Sequence, residues 1–110
     1  MSDLLWYPDI GATYHITNDP AIFNKKQMYN GSENVQLGNG SGLSIHSIGS
    51  ASLRNSSSNH LFTLHNLLHV QTINKNLLDV SQFARDNGVF FEFFPNHCCV
   101  KNQVTKQIIL

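Results

Sequence analysis

Charge is scarce in this 110-residue chain: only 13% of residues are Asp, Glu, Lys or Arg, and the two signs balance to a net of zero. That is about half the usual share. A basic surface large enough to grip a phosphate backbone is therefore not expected, and neither is a nucleic-acid partner. Cysteine is nearly absent. The only two, Cys98 and Cys99, are adjacent. Neighbours in an extended chain point to opposite faces, so a bond between them would be strained. Reduced thiols and an intracellular, cytoplasmic setting follow as the expectation. No apolar run approaches the roughly 20 residues of a membrane span. The opening "MSDLLWYPD" has no basic stretch before an apolar one, so neither a signal peptide nor a membrane partner is expected. The length suits one small domain, 1–110, better than two.

What the chain does have is a 41% apolar fraction broken into short pieces. Tyr14 and Ile16 lie two apart, as residues on one face of a strand do. Val35 to Leu37 runs into "GNGSG" (Gly38–Gly42), a turn signal between strands. Leu43, Ile45, Ala51 and Leu53 keep one parity, with Ile48 out of step and Gly49 placed for a bulge. "LFTLHNLLHV" (Leu61–Val70) sets Phe62, Leu64, Leu68 and Val70 on one face, and "VFFEFF" (Val89–Phe94) is a further strand. One segment has helical spacing: Leu77, Val80, Phe83 and Ala84 form a stripe, giving a helix over about 76–87. Asn76 is its expected N-cap and Gly88 its left-handed terminator. Many short strands, one helix and no βαβ alternation make a mostly-β barrel or sandwich the expected class.

Asp9 is the acid that needs a reason. It follows the apolar "LLWYP" and precedes Ile10, Gly11 and Ala12. A glycine there lets the chain turn sharply and present the carboxylate at a strand end. Two such acids a few ångströms apart cannot both ionise, so one can take a proton from water while the other gives one to a leaving amine. A plain Pro-Asp turn with a solvated acid is the bland alternative. The only other Asp-x-Gly, Asp86-Asn87-Gly88, falls where the helix ends. A dyad in this chain therefore needs a second copy of Asp9 across a two-fold axis.

"WYPDIGATYHIT" resembles the aspartic protease domain of copia-type retrotransposon Pol polyproteins, in which a tryptophan precedes Asp-Ser-Gly-Ala and a His-Ile/Val-Thr follows. The resemblance continues through "VQLGNGSGLSIHSIGSASL", "LHNLLHV", "NKNLLDVSQFARDNGVFFEF" and "VKNQVTKQIIL", in order and across nearly the whole chain. It implies a small closed β-barrel of retropepsin type with one short helix. It also implies Asp9 as the catalytic acid of a homodimeric aspartic endopeptidase, acting on a peptide or polyprotein substrate without cofactor or metal. Ile10, Gly11 and Ala12 then form the active-site turn. The flap falls within Leu37–Ile45, with Gly38, Asn39 and Gly40 at its tip unless the second glycine turn, Ile48-Gly49, forms it, and Leu77-Leu78 packs behind the turn.

Three departures stand out. Ile10 replaces a serine whose hydroxyl, in that family, braces the paired turns, and a buried polar group left unpaired costs about 1–3 kcal/mol. Weak dimerisation and impaired cleavage are expected, with a non-catalytic relic β-barrel, serving only structure or self-association, as the alternative. Gln71 stands where the family has proline. The chain also stops at Leu110, short of the basic-Gly segment expected next, so the domain is expected to be cut short at its C-terminus. Other constellations are weaker. His60, His65 and His69, with His97-Cys98-Cys99, lack the spacing of a paired metal knuckle. "GNGSG" lacks the Lys-Ser/Thr of a phosphate loop. The phenylalanines at 90, 91, 93 and 94 have no basic neighbours and read as core rather than base-stacking platforms.

Overall fold

The computed structural model describes residues 6–31, 34–36, 42–55 and 59–109. Its centre is a six-stranded mixed sheet. In chain order the strands are β1 (Trp6–Asp9), β2 (His15–Thr17), β3 (Phe23–Met28), β4 (Asn34–Gln36), β5 (Gly42–Ser44), β6 (Ser47–Arg54), β7 (Leu61–His69) and β8 (Asn76–Asp79). Helix α1 (Val80–Asn87) and strands β9 (Val89–Phe93) and β10 (Cys98–Asn102) follow. The sheet order is β1-β8-β2-β7-β6-β3, while β4–β5 and β9–β10 are separate antiparallel pairs.

The sheet is mostly β with one helix, as expected, but it is not the expected closed barrel. Among the described residues its outer strands, β1 and β3, do not pair with each other. Burial comes from layering instead. On one face Trp6, Phe62, Leu64, Leu67, Leu78, Phe83, Val89 and Val100 form a core, with Ile109 and Phe91 packed against it. On the other, Ile16, Leu68, Val70 and Ile73 are covered by Val35, Leu43 and Ile45. Each face hides its apolar side chains under its own small layer, so closure is not needed to exclude water.

The helix begins four residues later than its apolar stripe suggests. Asn76–Asp79 is a strand held on both sides, parallel to β1 and, at Leu77, antiparallel to β2. Leu77 and Leu78 are therefore sheet residues, and the cap is Asp79, not Asn76. The Asp79 carboxylate accepts the Gln82 N–H at 3.2 Å. Gly88 ends the helix in the left-handed region at φ 63°, as expected. Asn87 then fixes the helix end to β7: its Nδ2 donates to the Thr63 carbonyl (2.9 Å), and its Oδ1 accepts the Thr63 N–H (2.8 Å). Phe83 fills the space beneath, with its ring centre 5.2 Å from that of Phe62.

The expected bulge is present but its strained residue is elsewhere. Gly49 pairs with Leu67 and Ala51 with Leu64, so β7 carries one extra residue across this step. Asn66 takes up the excess at φ 56°. Asparagine is among the few side-chain-bearing residues that visit this region readily. Gly49 serves a different need: a Cβ there would lie 1.9 Å from the Lys25 carbonyl oxygen, so β3 can approach only a glycine.

Candidate active site

Asp9 closes its own turn. Its Oδ1 accepts the Gly11 N–H at 2.9 Å, and its carbonyl accepts the Ala12 N–H at 3.2 Å. This side-chain closure makes the turn without calling on the backbone freedom of Gly11. Among the described glycines only Gly88 has a positive φ, and a Cβ on Gly11 would make an ordinary 3.5 Å contact with Asp9 Oδ1. The carboxylate is exposed at the end of an edge strand. Around it lie Ile10, 75% exposed, and the half-exposed rings of Tyr7 and Tyr14. The Lys75 ammonium sits 5.4 Å from the centre of the Tyr7 ring.

The floor under this turn is rigid. Trp6 is buried one side of β1, and Leu78 is fully buried opposite Pro8. His15, also fully buried, accepts the Asp79 N–H on Nδ1 at 3.0 Å, which ties β2 to the strand beside Asp9. Burial pushes the His15 imidazole down to about 4 against the opposing pull of Asp79 and Asp86. Because Nδ1 accepts, Nε2 carries the proton. Thr17 Oγ1 adds a 2.8 Å bond to Asn76 Oδ1. Sequence reasoning missed this brace. His15 figured only as part of a motif, and no spacing rule links it to a residue 64 positions away.

Register places the acid relative to the hairpin. Tyr7, Leu77, Ile16, Leu68 and Ile48 are successive cross-strand neighbours, so they share one face of the sheet. That is the face covered by Val35 and Leu43 of the β4–β5 pair. Asp9, two residues from Tyr7, faces the same way. The expected flap tip, Gly38, Asn39 and Gly40, lies outside the described residues, while the strands flanking it pair as a hairpin should. Asp79 is Asp9's partner in register, but its carboxylate is committed to capping α1. Among the described residues no three His, Cys, Asp or Glu side chains are grouped to hold a metal ion.

Residues 6–89 match the family described as the Pol polyprotein, beta-barrel domain. The chain belongs to this family. The chain is 41% identical over 97 residues to the retrovirus-related Pol polyprotein from transposon RE1 of Arabidopsis thaliana. It is 40% identical over 97 residues to the corresponding polyprotein from transposon RE2 of the same plant. Each match covers 88% of this chain and 6% of the relative, so the chain corresponds to a small part of either polyprotein. No solved structure matches it significantly.

Proposed function

We propose that this Pol β-barrel domain is a retropepsin-like aspartic endopeptidase unit that cuts a retrotransposon polyprotein as a homodimer. One observation carries the reading: an exposed carboxylate, pre-oriented by its own turn, stands at a strand end on the sheet face that the β4–β5 hairpin covers. Two copies meeting at this turn bring two Asp9 carboxylates together. The ionised one removes a proton from water, which attacks the peptide carbonyl, and the protonated one donates to the leaving amine. Gly11 and Ala12 supply the turn amides that hold the acid in place.

Ile10 weakens this unit. It projects into solvent beside the acid and offers no hydroxyl to a partner turn. We expect slow cleavage of peptides spanning the natural Pol junctions and none by Asp9→Asn. Ile10→Ser should raise cleavage by about tenfold or more, the worth of a restored buried hydrogen bond. Sedimentation on the same samples separates the outcomes. Strictly monomeric protein at high concentration, in wild type and Ile10→Ser alike, would leave Asp9 without a mate and overturn the proposal in favour of a non-catalytic module.

A further inference from the structure

At the foot of the β4–β5 hairpin two histidines flank one buried serine. His46 Nδ1 lies 3.1 Å from Ser47 Oγ, and Ser47 Oγ lies 3.4 Å from His69 Nδ1. The imidazole centres are 4.9 Å apart. Ser47 is fully buried and His69 nearly so. A hydroxyl between two Nδ1 atoms can donate to one and accept from the other, so the three groups are satisfied when one imidazole offers a lone pair and the other an N–H. Asn18, whose backbone raises the proton affinity of His69, donates its Nδ2 to the Ile73 carbonyl in the loop before β8 at 2.9 Å.

The backbone of His46 is the joint itself. Its N–H donates to the His69 carbonyl (2.8 Å), and its carbonyl accepts the Tyr29 N–H (3.1 Å), so one residue clamps the hairpin foot to the ends of β7 and β3. With both imidazoles protonated, two Nδ1–H groups would point at the one serine oxygen, and its hydroxyl would be left without an acceptor in a space closed to water, which is costly. The groups facing His69 are the His46 imidazole, the Lys26 ammonium of β3 and the Asp19 carboxylate ahead of β3. Burial, His46 and Lys26 lower its proton affinity; the Asn18 carbonyl and Asp19 raise it, and the lowering wins.

We propose that the His46–Ser47–His69 relay is an acid-sensitive latch that holds the β4–β5 hairpin against the sheet at neutral pH and releases it when the histidine pair takes up protons. That the latch gates an Asp9 cleft rests on the function proposed above; the latch itself does not. Amide hydrogen exchange at Tyr29 and His46, corrected for intrinsic rates and compared between pH 7.5 and 5, tests it. Protection at these two amides should fall by about tenfold or more at pH 5, while the Leu64 and Val100 amides follow only the global loss of stability that His15 brings and respond alike in wild type and variants. His46→Gln/His69→Gln, whose amides hydrogen-bond without titrating, should abolish the pH response. His46→Gln alone, at a half-exposed site, should diminish it and serves if the double variant does not fold. Unchanged protection at pH 5, or an undiminished response at Tyr29 and His46 in the folded variants, would overturn the latch.

Discussion

Asp9 stands out in the sequence because an acid in an apolar run is conspicuous, and a turn follows it directly. What the residues alone could not reveal is how the turn closes: by the carboxylate of Asp9 accepting the Gly11 N–H. Ile10 is so exposed that Ile10→Ser should change monomer stability by less than about 0.5 kcal/mol, which isolates its effect to association and cleavage. His15 is the residue with the clearest thermodynamic signature. Its folded form holds near 4 from an ordinary 6.5. Above pH 6.5 it is neutral in both states and its contribution is fully present. As pH falls from 6.5 towards 4 the unfolded chain takes a proton that the folded one refuses, and stability is lost by up to about 3 kcal/mol. Urea midpoints measured between pH 7.5 and 4 should decline across this window. A flat profile would mean that the imidazole is not sealed from water.

Among the elements, the strands were the legible part, but the expected single face of Phe62, Leu64, Leu68 and Val70 is split: the extra residue at Asn66 sends Phe62 and Leu64 into one apolar cluster and Leu68 and Val70 into the other. The helix was misplaced at its start for a physical reason. Leu77-Leu78 followed by Val80 and Phe83 satisfies helical spacing, yet β1 and β2 leave a slot between them that only an extended Asn76–Asp79 can fill. Tertiary pairing overrides local preference there. Asp79 accordingly does two jobs, ending a strand and capping a helix. Asp79→Ala removes the acceptor for the Gln82 N–H and should cost about 1–2 kcal/mol, read as a lowered denaturation midpoint; an unchanged midpoint would show that the cap is dispensable. Asn66 was illegible as a bulge because its left-handed geometry depends on what pairs opposite, not on its neighbours in the chain.

For the molecule as a whole, alternation says which side of a strand is apolar but not which strands end up adjacent, so an open sheet and a closed barrel look alike in sequence. The two apolar clusters lie back to back across one sheet, and neighbouring residues Leu67 and Leu68 serve one each. Loss of either layer should therefore bring down both. Phe83→Ala should cost about 3–5 kcal/mol, with Trp6 fluorescence and far-ultraviolet circular dichroism reporting one coincident transition; separated transitions would mean the layers unfold independently. The parallel pairing of Trp6–Asp9 with Asn76–Asp79 has a further bearing, on synthesis. At about 5–20 residues per second, a ribosome needs several seconds between making the first strand and making its neighbour. Throughout that interval the acid-bearing segment has no place to dock. The newborn polypeptide thus carries Asp9 in an unassembled state until this long-range closure, slow by its topology, seats the strand that bears it.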